Sequence, residues 1–262
     1  MSKKRRCGII AVGNEILQGY VRDSNSFWLA RRLNNLGFDV ERIFVVGDVI
    51  NDIVDVLDSA LRLGLDLIFV CGGVGGTPDD RTVTAVAQAL GLELVRDETV
   101  LGEIQKKIEL LKKKNFEIEL SKWILKMAYI PKGSIPLKNS LGFAPGIMIE
   151  LQGTKIFVLP GVPVEMKTVF AEEVEPKLGF GERRVMREVK LDSEETKFSG
   201  IVERLEKKHE GVTIGMYPHF GKMQVIIRII GDEREVKNVE REIIEKAKRL
   251  GVGFSSVTDD FE

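Results

Sequence analysis

Apolar and polar positions along this chain change period repeatedly, and the changes divide it into strands and helices. Cys7 to Val12 is an unbroken apolar run, followed by the polar stretch Gly13-Asn14-Glu15. Asp23 or Ser24 can cap a helix with Leu29, Leu33 and Leu36 on one face, and Gly37 stands at the expected stop. Arg42 to Val46 reads as a second strand ending at Gly47-Asp48, and Ile53, Leu57, Ala60 and Leu61 mark a helix ended by Gly64. Leu65 to Val70 is a third continuous apolar strand, after which Val83, Val86, Ala87 and Leu90 share one helix face up to Gly91. Strands that are apolar throughout and alternate with helices predict a mostly parallel sheet covered on both faces, a three-layer α/β/α fold.

Further on, Asp97 to Lys114 predicts a longer surface helix with a solvated Lys112-Lys113-Lys114 end, and Ser121 to Ala128 a short one. From Tyr129 proline and glycine punctuate the chain. Ile147 to Glu150 and Lys155 to Leu159 predict a hairpin around Gly153, and Val164 to Val174 the last helix of a domain spanning residues 1–178. The interruption between Pro176 and Glu182 marks its boundary. Residues 179–251 then read as strand (184–191), helix (196–209), strands (212–216 and 223–230) and helix (235–250), a small βαββα module of the α+β class. Residues 252–262 carry no pattern and are expected to be a tail.

Composition narrows the function classes. Lysine plus arginine, 39, balance aspartate plus glutamate, 40, so no overall field argues for nucleic acid or an acidic membrane as partner. No apolar run reaches the roughly 18 residues of a membrane helix, and the basic start leads straight into a strand; a cytoplasmic protein is expected. Cys7 opens one predicted strand and Cys71 closes another, which puts them at opposite ends of a parallel sheet and argues against a disulfide. With two cysteines and two histidines far apart in sequence, any metal would be held by oxygen.

The stretch from Val70 to Thr82 concentrates the chemistry. A buried strand runs into Gly72, Gly73, Gly75, Gly76 and Thr77, then Asp79, Asp80 and a helix start. Glycines let backbone N–H groups approach an anion and accept positive φ, expected here at Gly75 and Gly76, and a helix N-terminus favours negative charge. Two carboxylates at the same corner would repel a bare phosphate, so they imply a divalent cation. No Gly-Lys-Ser/Thr follows, and no Gly-x-Gly-x-x-Gly spacing is present. The alternative is a tight turn with Asp79 as helix cap. Ligands of open parallel sheets bind outside the carboxyl ends of the strands, and Glu15, Asp48 and the pair Asp79/Asp80 each follow one of the first three strands.

Gly13-Asn14-Glu15-Ile16-Leu17-Gln18-Gly19 with Asp23-Ser24-Asn25-Ser26, then Gly47-Asp48, the glycine stretch through Thr82, Asn139, Ala144-Pro145-Gly146 and Leu159 to Lys167 resemble one known family. This is the N-terminal domain of competence/damage-inducible protein A (CinA), within the molybdopterin-binding superfamily of MogA and MoeA type. The resemblance covers about residues 7–175, and the βαββα module resembles that family's second domain. It does not extend to the C-terminal amidohydrolase domain of full-length competence proteins. Asn14 stands where the family usually has aspartate, and Gly76 where it has proline.

The resemblance implies a phosphate or pyrophosphate on the glycine loop, with Asp48 and Asp80 catalytic and carrying Mg²⁺, Mn²⁺ or Co²⁺. Glu15, Asp79, Asn25, Asn139, Gly146 and Glu165 would support them. The expected activity is metal-dependent hydrolysis of nucleotide pyrophosphates such as ADP-ribose. The alternatives are a molybdopterin-binding or adenylating protein of molybdenum-cofactor assembly and a non-catalytic nucleotide sensor. The expected partner is a nucleotide or pterin, in a homodimer or other homo-oligomer.

Overall fold

The computed structural model describes residues 5–179, 185–219 and 221–258. The chain divides into two units, Met1–Asn34 with Phe38–Gly179, and Asn35–Gly37 with Phe180–Glu262. In the first, the chain runs β1 (Arg6–Val12), α1 (Asn14–Leu17), α2 (Ser24–Asn35), β2 (Asp39–Val46), α3 (Ile50–Arg62), β3 (Leu67–Cys71) and α4 (Thr82–Ala89). It continues through β4 (Leu94–Arg96), α5 (Glu98–Lys113), α6 (Lys122–Lys126), β5 (Tyr129–Pro131), β6 (Ile135–Leu137), β7 (Gly146–Leu151) and β8 (Thr154–Leu159). Then come α7 (Pro163–Val169), a wider π-turn (Phe170–Val174) and α8 (Glu175–Leu178).

The main sheet has the order β2-β1-β3-β8-β7-β6. Its first four strands are parallel, while β7 joins β8 as the expected hairpin and β6 pairs antiparallel at the edge. Alternation along the strands feeds two cores. Ile10, Ile68, Val70, Ile156 and Val158 pack with Ile53 and Leu57 of α3 and Val86 of α4. On the other face Phe69 stacks on Phe157 at 5.1 Å, Phe170 leans on Phe69 at 5.9 Å, and Trp28 of α2 meets Phe170 edge-on at 5.4 Å. Each of the three phenylalanine rings, fully buried, contributes about 1.5–3 kcal/mol.

Two expectations change. The polar stretch after β1 winds into the single turn α1, and the expected helix from Val164 to Val174 starts at Pro163 and widens before α8. Pro176 gives the reason for the second: it has no N–H, and its ring crowds the carbonyl four residues back, so the preceding turn opens.

The second unit contains β9 (Val185–Leu191), α9 (Thr196–Lys208), β10 (Thr213–His219), β11 (Gln224–Gly231), α10 (Glu233–Arg249) and β12 (Phe254–Thr258). The sheet order is β10-β11-β9-β12, antiparallel at every pairing, which is the split βαββαβ arrangement of ferredoxin-like domains. Val225, Ile227 and Ile229 of β11 face Phe198 and Leu205 of α9 and Val236, Val239 and Ile243 of α10. The expected tail is thus corrected in part: residues 254–258 pair with β9 and supply the fourth strand. Among the described residues no helix is long and apolar enough to cross a membrane.

Candidate functional site

β1, β2 and β3 are parallel neighbours, so their carboxyl ends open on one edge of the sheet. The chain leaves β3 through Gly72 and Gly73, with φ of +106° and +63°. A Cβ on Gly72 would run into the Val12 carbonyl oxygen, and one on Gly73 into the Thr82 hydroxyl. Backbone demand and close approach therefore coincide three residues earlier than expected. Gly75 and Gly76 lie outside the left-handed region and are glycines for space alone. A Cβ on Gly75 would stand 2.6 Å from Asp80 Oδ2, and one on Gly76 would strike the Trp123 carbonyl.

The acids fold the loop onto itself. The Thr77 N–H donates to Asp80 Oδ2 at 2.7 Å, and the Thr77 hydroxyl lies between Asp80 Oδ2 and Asp79 Oδ1. That hydroxyl, more than any other group, holds the Asp79 carboxyl below its usual range. Helix α4 starts at Thr82 with Arg81 at its cap position and no side-chain cap bond, so neither acid caps it. Across the edge, the Asn14 N–H donates to Asp48 Oδ2 at 2.9 Å and the Asp48 N–H to Asn14 Oδ1 at 3.3 Å, tying the loops after β1 and β2 together.

Between these loops lies a cleft of about 190 Å³. Glu15, Asp23, Asp48, Asp79 and Asp80 line it, together with Gly72, Gly73, Asn25 and Gly161. Cys71 also lines it; its thiol donates to the Pro160 carbonyl at 3.2 Å, and burial pushes its pKa up to about 12, so it is no nucleophile near neutral pH. Asn25 donates through Nδ2 to the Gly161 carbonyl at 2.7 Å, while its Oδ1 and the Thr82 hydroxyl are buried without a partner. A buried polar atom left unpaired costs about 1–3 kcal/mol, so two such atoms beside a glycine loop mark a place where a ligand or water belongs.

Residues 8–180 match the model of the family described as "Probable molybdopterin binding domain". The chain belongs to this molybdopterin-binding family. A protein of Pyrococcus furiosus is 42% identical over 94% of this chain and 97% of its own length. One of Pyrococcus abyssi is 40% identical over 94% and 97%. Among solved structures, CinA of unknown function from Thermoplasma acidophilum matches with a TM-score of 0.58 and 37% identity, covering 64% of this chain and 95% of that one. The CinA resemblance read from the motifs is thereby established.

Within this molybdopterin-binding domain the expected site residues fall into three groups. Glu15, Asn25, Asp48, Gly72, Gly73, Asp79 and Asp80 meet at the cleft. Gly75 lines a smaller neighbouring cavity, and Gly76 and Thr77 shape the loop without lining either. Asn139, Gly146 and Glu165 stand apart. Asn139 Nδ2 donates to the Ala144 carbonyl at 2.8 Å and to Glu165 Oε2 at 2.7 Å, and its Oδ1 accepts from the Leu141 and Gly142 N–H groups. The Lys107 ammonium, its pKa lowered by burial, completes that network on the carbonyls of Asn139 and Gly142. Gly146 opens β7, where a Cβ would press on Val169 at 2.8 Å.

Asp48 and Asp80, the expected cation ligands, both line the cleft. One oxygen of each is occupied by a backbone N–H, and among the described residues no group of three or more His, Cys, Asp or Glu is placed to hold a metal ion.

Lys126, within the helix expected over Ser121 to Ala128, is a loop-holding residue that the sequence pattern did not single out. Its ammonium donates to the Thr77 carbonyl at 2.7 Å and the Asp80 carbonyl at 2.6 Å, holding the glycine loop from α6. A contact across that sequence separation has no local signature. The lysine three residues after an exposed tryptophan on a short helix was the only signal available.

Proposed function

We propose that this protein binds a phosphorylated pterin of the molybdopterin type in the cleft at the carboxyl ends of β1, β2 and β3, and serves molybdenum-cofactor assembly. The observation that carries this reading is the glycine loop itself, in a domain matched by the molybdopterin-binding family. Gly72 and Gly73 are bare where any side chain would collide, and the Asn25 and Thr82 oxygens beside them lack partners. A polar concavity with unsatisfied groups beside it is what a ligand site presents. Hydrolysis of ADP-ribose or a related pyrophosphate is the weaker reading, because the family matched is the molybdopterin-binding one.

The test is isothermal calorimetry with anaerobically prepared molybdopterin, alongside mass spectrometry of ADP-ribose, FAD, NAD and CoA incubated with Mg²⁺, Mn²⁺ or Co²⁺. Molybdopterin binding in the micromolar range with no cleavage in the panel is the expected result. Release of AMP and ribose 5-phosphate from ADP-ribose, abolished by chelator and without pterin binding, would overturn it in favour of the hydrolase.

A further inference from the structure

Two cavities meet at the glycine loop and share Gly73 and Asp80, yet they differ in size and charge. The larger, about 190 Å³, is lined by Glu15, Asp23, Asp48, Asp79 and Asp80, with no lysine or arginine among its lining residues. The smaller, about 40 Å³, holds Lys126. By the measure in which one water takes roughly 10–15 Å³, the smaller admits a compact group and no ring system. A phosphate in the larger cleft would face five carboxylates. Beside Lys126 it would meet an ammonium with three N–H donors, of which the Thr77 and Asp80 carbonyls take two.

The acids of the larger cleft are mostly engaged. Asp23 accepts the Ser26 N–H, Asp48 the Asn14 N–H, and Asp79 and Asp80 share Thr77. Among the described residues Glu15 has no hydrogen-bond or ion-pair partner, so both of its oxygens remain available. A carboxylate with two open oxygens pairs with two adjacent N–H donors. The 2-amino-4-oxo edge of a pterin offers that pair, N3–H beside the 2-amino group, whereas a phosphate offers acceptors alone. The unpaired Asn25 Oδ1 is a further acceptor in the same cleft.

We infer that the ligand straddles the glycine loop, with Glu15 holding the amino-pyrimidinone edge of the ring in the larger cleft and Lys126 taking the phosphate in the smaller. This orientation rests on the pterin reading and adds to it which residue meets which half.

Calorimetry in the presence of EDTA, repeated with Mg²⁺ in its place, tests it with three probes: 6-hydroxymethylpterin, 6-hydroxymethylpteridine-2,4-dione and inorganic phosphate. The wild type should prefer the pterin over the dione, which has an oxygen in place of the 2-amino group, by about tenfold or more. Glu15→Gln should erase that preference. Lys126→Met should weaken phosphate by about tenfold, and Lys126→Arg should restore it, since a guanidinium can bridge the same carbonyls. Thermal melting checks the fold of each variant, and if Lys126→Met fails to fold, Lys126→Gln carries the comparison. Phosphate binding that requires Mg²⁺ and survives loss of Lys126, or a pterin preference that survives Glu15→Gln, would overturn the orientation while molybdopterin binding stands. A wild type that binds neither molybdopterin nor 6-hydroxymethylpterin would remove the pterin reading as well.

Discussion

In the second unit Arg187 meets Glu240 at 2.9 Å, Arg228 meets Glu188 at 2.6 Å, and His209 stands between Glu235 at 2.6 Å and Glu242 at 3.3 Å. In the first unit the Glu15 carboxylate and the Asn25 amide oxygen at the cleft, and the Thr82 hydroxyl against Gly73, have no hydrogen-bond partner among the described residues. Both regions are rich in acidic residues, so composition does not separate them. In one the charges are consumed by partners and stabilise a small domain. In the other, one carboxylate is left open, and the two buried oxygens, not the charge, carry a cost in stability. What distinguishes the candidate site is a carboxylate without a partner beside the glycine loop; an unpaired buried atom alone does not, because Arg187 Nε in the second unit also lacks a partner.

That contrast can be broken in stages. Phe69→Ala removes the ring stacked on Phe157 in the first unit and should cost about 3–5 kcal/mol, read as a drop in its melting transition. Glu240→Gln leaves Arg187 uncompensated where the two side chains are only 10% and 21% exposed, and should cost about 3 kcal/mol, the low end for a buried pair. Replacing both partners by Leu and Met should cost less than the single change, by urea denaturation. An equal or larger loss in the double variant would show that the pair itself stabilises the unit.

Gly73→Ala comes next, with strain of about 1–3 kcal/mol from its φ of +63° and a methyl against Thr82. Its loss of ligand affinity should exceed its thermal loss; intact molybdopterin binding would place the ligand elsewhere.

Thr77→Val removes the hydroxyl that holds the Asp79 carboxyl below its ordinary value of 3.8. A depressed carboxylate stabilises the fold above that pH, and the contribution disappears as pH falls through the lower folded-state value. The variant should therefore be slightly less stable than the wild type at neutral pH, with the gap closing in acid below about pH 4. A gap independent of pH would assign the loss to the loop geometry instead.

The smallest effect is expected at Glu15. Glu15→Gln should change stability by less than about 0.5 kcal/mol, as for an exposed residue without partners, in contrast to Glu240→Gln. A large loss of melting temperature would show that Glu15 is structural and would dissolve the comparison.

What could be read in advance follows from range. Cys7 to Val12, Ile53 to Leu61 and Leu65 to Val70 announce themselves because a strand or helix that buries a face must repeat apolar residues at its own period. The gathering of Glu15, Asp48, Asp79 and Asp80 at one edge was also legible, since parallel strands deliver their following loops to the same side. Residues 254–258 were not: β12 is paired on one side only, and Phe-Ser-Ser carries no alternation that distinguishes it from a tail. The π-turn before Pro176 is a local rule that a helical pattern masks.

The sequence by itself determined the alternating α/β order, the family motifs and the set of acids that reach the cleft, all of which depend on residues near one another in the chain. Only the tertiary structure decided which glycines are conformationally required. Gly72 and Gly73 are constrained by Val12 and Thr82, and Gly76 by Trp123, partners that spacing does not reveal. It also decided which polar groups are already spent. Thr77 engages Asp79 and Asp80, Asn14 engages Asp48, Lys126 engages the loop carbonyls, and Glu15 is left over. The physical reason is that a side chain's chemistry is set by its type, whereas its availability depends on every neighbour that folding brings within hydrogen-bond reach.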